Sequence, residues 1–339
     1  MKSNLFWFWF ENARWVALPQ SGVPALLAIC LAIPSPNFSW YLALFALLGV
    51  MFGHLGINLW DDYFDYKKSD QMVRNRLNSN GIRARIAKCD YLTSGQATLK
   101  ELAWAASIIC IISLVFGAAI FEERGYIILV IALVTAFFGI SYSGFPFRFS
   151  YHGLGELVIG TVFGPLLMIG VYIAACGAYS LQDLAPIFFI SIPVGLLVTN
   201  IVYTHSVIDF EADYSMNKKT LAVILKRKNS MNIVSFLFIF GPFIIILTGV
   251  IVKILPVGYL SVFLALFHAI YLFKLILIFQ KDKQRTFPPR RWMGPMEKWE
   301  GIMTAGIDWF MIRWYMARNL LILFSLLIII TLITLTFIK

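Results

Sequence analysis

Charge is what this sequence has least of. Only 14% of its 339 residues are Asp, Glu, Lys or Arg, while 60% are apolar; a water-soluble globular chain carries about 25% charged residues. That deficit excludes an ordinary soluble protein. Cysteine is also sparse. Cys30, Cys89, Cys110 and Cys176 follow no metal-ligand spacing, and three of them lie in or beside apolar runs, so neither a disulfide framework nor a zinc site is indicated. Long polar stretches are missing too. The longest, 61–100 and 281–315, are too short to bury a core of their own. Residues 1–339 are therefore expected to form one membrane-embedded domain, with 281–315 a cytoplasmic loop of no recognised role. The opening MKSNLFWFWFENARW lacks the short apolar core and cleavage site of a removable signal peptide, and its Trp/Phe cluster suits a helix lying at the membrane interface.

What the chain does have is long apolar runs. They fall at 15–34, 40–60, 101–120, 126–142, 154–176, 185–207, 231–252, 257–280 and 316–338. Each is long enough to cross about 30 Å of hydrocarbon as a helix. The expected fold class is all-α, a polytopic membrane protein with nine transmembrane helices. Lys and Arg concentrate in 1–14, 61–100, 143–153, 208–230 and 281–315, which places those segments and the N-terminus in the cytoplasm. The net charge of +10 then belongs to loops facing anionic headgroups, and no nucleic-acid partner is implied. The expected location is the inner (cytoplasmic) membrane.

Against this apolar background two acidic segments stand out. NLWDDYFDYKKSD (58–70) follows the second run, and DFEAD (209–213) follows the sixth. An even number of spans separates them, so both emerge on one side. Acidic groups at a helix C-terminus oppose the macrodipole, and carboxylates facing lipid are costly. Something must compensate. On a continuing helix Asn58, Asp61 or Asp62, and Asp65 share a face, as do Asp209 and Asp213. Hard oxygen donors without a His/Cys companion call for Mg2+, which binds through a few carboxylates together with substrate phosphates. Asn58, Asp61, Asp62, Asp65, Asp209 and Asp213 are thus the candidate metal set. Lys67, Lys68, Arg74 and Arg76 follow the first cluster and Lys218 and Lys219 the second, the composition expected around a diphosphate.

These segments resemble the UbiA superfamily of intramembrane prenyltransferases. NLWDDYFDYKKSD looks like its first aspartate-rich motif and DFEADYSMNKKTLAVIL (209–225) like its second, while YSGFPFRFSYHGLGELVIGTVFGPLLMIGVY (142–172) is similar to the menaquinone branch, the dihydroxynaphthoate polyprenyltransferases. The chain departs from the family pattern at Asp61, where Asn is usual, and at HSVID (205–209), where His205 and Ile208 replace an amide and a guanidinium. The resemblance implies a nine-helix bundle around a central cavity capped by cytoplasmic loops. It implies Mg2+-dependent transfer of a polyprenyl group from an isoprenyl diphosphate to an aromatic acceptor, 1,4-dihydroxy-2-naphthoate first. By position, Asn58, Asp61, Asp62 and Asp65 match the first metal-diphosphate motif and Asp209 and Asp213 the second. Asn58, Lys67, Lys68, Arg74 and Lys218 would hold the diphosphate. Tyr142 and Glu156 fall on the acceptor side, and His205 is a further candidate there. Two alternatives remain at this point: the same chemistry on hydroxybenzoate, haem or a glycerophosphate lipid, and an ion-coupled transporter, since intramembrane carboxylates also mark ion paths. Transporters place such groups near the midplane. Here both clusters sit at span ends.

Overall fold

The structure is a computed structural model, and it describes residues 5–68, 89–215, 217–283 and 285–337. Among the described residues the chain is helical, with a single isolated bridge between His152 and Lys219. Eight helical segments are long and apolar enough to cross a bilayer. These are α3 (Trp40–Lys68), α4 (Leu99–Arg124), α5 (Tyr126–Ser143), α6 (Gly155–Cys176), α7 (Leu181–Ile208), α10 (Lys228–Ile251), α11 (Val257–Lys281) and α12 (Asp308–Phe337). Among the shorter helices are α1 (Leu5–Asn12), α2 (Pro19–Ala32), α8 (Phe210–Ser215) and α9 (Leu221–Leu225), with short helical turns at Asp90–Thr93 and Trp299–Thr304.

The expectation of nine spans is corrected to eight long ones and one short apolar helix among the described residues. In the first expected span, Arg14 takes a left-handed conformation (φ 63°), a tight turn follows at Trp15–Ala17, and α2 starts at Pro19 and keeps only 14 residues. At 1.5 Å per residue that is about 21 Å, short of a full crossing. The helix is nevertheless part of the bundle, with Ala25, Leu27, Ala28 and Ala32 buried against α6 and α12. The second span errs the other way. α3 runs past the expected end at residue 60 to Lys68, so its last two turns carry Asp61, Asp62 and Asp65.

Two local features shape the helices. Thr98 and Glu101 form a reciprocal capping box that starts α4. α6 contains a π-helical turn at Val162–Leu166, and there it lies against α7 so closely that a Cβ on Gly164 would sit 2.6 Å from Gly195 Cα. Only glycine permits that approach.

The segment after α11 is pinned rather than loose. Arg313 and Arg318 on α12, both at most 1% exposed, reach back to backbone carbonyls: Arg313 donates to Leu275 O and Arg285 O, Arg318 to Pro295 O. Arg318 also pairs with Glu297 at 2.8 Å, and Asn319 Nδ2 donates to Met293 O and Pro295 O. The resulting strap joins two distant elements, because Lys283 pairs with Glu211 on α8 and Lys298 with Glu11 on α1.

Candidate active site

The first acidic segment is held by partners from four other places in the chain. Arg14 Nη2 lies 3.2 Å from Asp61 Oδ2 and 3.4 Å from Asp62 Oδ1, and donates to Asn58 O at 2.8 Å. Tyr91 Oη donates to Asp62 at 3.1 Å, Ser143 Oγ to Asp61 at 2.5 Å, and Tyr151 Oη to Asp65 at 2.8 Å. Burial alone would favour a neutral Arg14, but the charges of Asp62 and Asp61 outweigh it and hold the guanidinium above its ordinary pKa. The Tyr91 phenol is raised by burial and then by Asp62, so it stays protonated as a donor. Here is the compensation that acidic groups at a helix C-terminus require. The sequence offered Arg14 only as one more cytoplasmic-side charge, and nothing in its spacing marks it as a partner of α3.

The second segment is built on a break. α7 stops at Ile208, Asp209 takes the C-cap position, and α8 carries Asp213 before the chain turns at Asn217 (φ 53°). His205 Nε2 lies 2.9 Å from Asp209 Oδ2, one turn back on the same helix, so the structure attaches His205 to the second acidic motif. Lys218 N donates to Asp213 O at 2.8 Å, which fixes the start of the basic pair.

Residues 143–153 connect the two segments. Tyr151 gives its hydroxyl to Asp65, and the Lys218 ammonium lies 5.4 Å above the same ring. His152 bridges to Lys219. Tyr142, half-buried at the end of α5, is within electrostatic reach of Asp61, Glu156 and Asp65, and its hydroxyl makes no hydrogen bond among the described residues. Glu156 is 2% exposed, and its Oε1 accepts from Ser206 Oγ at 2.7 Å and Leu221 N at 3.1 Å. It ties α6 to α7 and to the start of α9. Lys67 is exposed and lies over the Tyr63 ring of its own helix at 5.9 Å. Lys68 ends α3, and Arg74 lies outside the described residues.

The donors suit a hard divalent cation. Asp62, Asp65, Asp209 and Asp213 are each at most 4% exposed. So many buried carboxylates are unfavourable without neighbouring cations. Among the described residues, however, no three acidic, His or Cys groups come together closely enough to enclose an ion. The expected six-residue metal set is therefore not a preformed cage. Asn58 turns its amide to Ala13 O at 3.0 Å, and Asp61 and Asp62 already face Arg14. A few carboxylates without a closed cage suit Mg2+, which keeps its waters and shares a substrate's phosphate oxygens.

Comparison with known proteins identifies the family and the fold. Residues 21–294 match the UbiA prenyltransferase family. The chain belongs to that family and is a membrane-embedded prenyltransferase. It is 26% identical over 251 residues to the 1,4-dihydroxy-2-naphthoate octaprenyltransferase of Bacillus subtilis, covering 72% of this chain and 75% of that one. It is 29% identical over 178 residues to the 2-carboxy-1,4-naphthoquinone phytyltransferase of Synechocystis, covering 51% and 50%. Among solved structures, a UbiA homolog from Aeropyrum pernix superposes with a TM-score of 0.60 at 16% identity, covering 95% of this chain and 98% of that one. A UbiA homolog from Archaeoglobus fulgidus bound to DMAPP and Mg2+ gives 0.50 at 16% identity, with coverages of 95% and 98%. At such identities these structures establish the shared fold.

Proposed function

We propose that the chain transfers a polyprenyl group from an isoprenyl diphosphate to 1,4-dihydroxy-2-naphthoate, with Mg2+, at the cytoplasmic side of the inner membrane, and that residues 1–339 act as one domain. The observation that carries this reading is Tyr151, which touches Asp65 of the first acidic segment and Lys218 beside the second. One substrate head can be gripped between them. The acceptor is supported by the two relatives, a 1,4-dihydroxy-2-naphthoate octaprenyltransferase and a 2-carboxy-1,4-naphthoquinone phytyltransferase.

In this reading Asp61, Asp62 and Asp65 face Asp209 and Asp213 across the diphosphate, with Asn58 buttressing the first set. Mg2+, when bound, supplies positive charge that stabilises the departing diphosphate. Lys218, with Lys67, Lys68 and Arg74, neutralises the same oxygens as charge accumulates on them in the transition state. His205 acts through Asp209, orienting its carboxylate. Tyr142 lies on the acceptor side, and Glu156 sets the wall against which the acceptor rests. The allylic carbon released from the diphosphate is attacked by an electron-rich ring carbon, so water must be kept out. The apolar bundle does this while its walls accept the polyprenyl tail. An ion-coupled transporter would place its carboxylates near the midplane, which the positions of Asp65 and Asp209 at helix ends disfavour.

The test is product analysis. Detergent-purified protein, Mg2+ and farnesyl or geranylgeranyl diphosphate are incubated with a panel of aromatic acceptors, and products are identified by mass spectrometry. Prenylated naphthoate is expected. A product on hydroxybenzoate alone would reassign the acceptor, and the absence of both product and Mg2+-dependent diphosphate binding would remove the reading.

A further inference from the structure

One turn membrane-ward of the first acidic segment lies a polar group that none of the roles above uses. His54 is four residues before Asn58 and therefore on the same face of α3. It is 8% exposed, and its Nδ1 lies 2.8 Å from Ser21 Oγ on α2. Its ring packs on Phe163, in the π-helical turn of α6, with centroids 4.8 Å apart. π-turns interrupting a helix are frequent at functional sites. Beside Ser21, Gln20 is likewise 8% exposed. Among the described residues neither the Gln20 amide nor His54 Nε2 makes a hydrogen bond. Neither is sealed within the packing, so each is open to a partner.

The hydroxyl of Ser21 sets what His54 can offer. Ser21 Oγ also lies 3.2 Å from Leu18 O, a second acceptor for its one proton. With that proton directed at Leu18 O, Ser21 Oγ accepts from Nδ1–H and Nε2 offers its lone pair to an incoming O–H; with the proton directed at Nδ1, 2.8 Å away, Nε2–H donates to the incoming oxygen instead. Distance fits as well. At 1.5 Å per residue His54 sits about 10 Å along α3 from Asp61, a separation that matches the length of a reacting carbon plus one fused aromatic ring.

Resting on the prenyl-transfer reading above, we propose that His54 and Gln20 form the acceptor subsite, with His54 Nε2 hydrogen-bonded to a ring hydroxyl and the Gln20 amide bonding a second oxygen on the same aromatic acceptor. Ser21 is a positioning residue that fixes the His54 ring. The subsite's ligand class is an electron-rich aromatic carrying at least one hydroxyl.

The test uses the full chain in lipid nanodiscs, with geranylgeranyl diphosphate, Mg2+ and 1,4-dihydroxy-2-naphthoate. In His54→Ala and Gln20→Ala the KM for naphthoate should rise at least tenfold, while the KM for geranylgeranyl diphosphate stays within twofold of wild type. His54→Gln, which keeps a hydrogen-bonding group, should recover most of the naphthoate affinity. Ser21→Ala should raise the naphthoate KM less than His54→Ala. An unchanged naphthoate KM in both alanine variants overturns the subsite, and so does an equal rise in both KM values, the mark of a structural role. If His54→Ala does not fold, Gln20→Ala decides by the same criterion. A wild-type protein that neither binds geranylgeranyl diphosphate nor prenylates naphthoate removes the prenyl-transfer reading and the subsite with it; a wild type that prenylates normally, with variants unchanged, removes the subsite alone.

Discussion

The two acidic segments differ in construction. The first lies on an unbroken helix, and its aspartates are met by Arg14, Tyr91, Ser143 and Tyr151, drawn from separate parts of the chain. The second lies where a helix breaks, with Asp209 at the end of α7 and Asp213 on the short α8. Its ion-pair partner on the same helix is His205. A carboxylate neutralised by fixed donors is preorganised and contributes to the stability of the fold. One placed at a helix break can adjust to a ligand. Changes around the first segment should therefore be felt in stability as well as activity, and changes in the second mainly in activity.

That contrast can be broken in graded ways. The largest effect is expected from Asp209→Ala or Asp65→Ala, which should lower the initial rate of prenyl transfer by about a thousandfold or more. Asp209→Ala should leave the detergent melting temperature nearly unchanged; a large fall would erase the distinction between the segments. Next, Arg14→Ala removes the guanidinium from buried Asp62 and half-buried Asp61 and should destabilise the protein by about 3 kcal/mol, measured as a lower melting temperature before substrate is added. Tyr151→Phe removes the hydroxyl from Asp65 but keeps the ring under Lys218. It should weaken diphosphate binding by about tenfold, the usual scale for a lost hydrogen bond to a charged group. The smallest effect belongs to Lys298→Ala, whose exposed pair with Glu11 should matter by less than about 1 kcal/mol. A larger loss of stability there would mean that the strap holds α1, and Arg14 with it, in place.

Much of this was legible because lipid imposes simple rules on composition. Apolar runs located the membrane helices, since every helix crossing a bilayer must be long and greasy. The acidic pairs at 61–65 and 209–213 announced themselves because charge is costly there. Other features were not visible because their chemistry leaves no periodic trace. α2 is shortened by a left-handed Arg14 and a turn, neither of which changes the hydropathy of 15–34. Arg313, Arg318 and Asn319 bind mainly to backbone carbonyls of 275–297, and any residue supplies a carbonyl, so the strap has no sequence signature. Glu156 resembles an acceptor-side residue by position, yet its carboxylate is engaged by Ser206 and the Leu221 amide. Arg14 pairs with residues more than forty positions away, and no spacing rule reaches that far.

The most direct measurement is calorimetric titration of the full chain with Mg2+ and a non-hydrolysable thiolo analogue of geranylgeranyl diphosphate, in wild type, Asp65→Asn and Asp209→Asn. If one substrate head is held between both segments, wild type binds one analogue per chain and each substitution alone abolishes that binding. Retention of wild-type affinity in either variant would mean that a single segment builds the site, and the two-sided grip would be wrong.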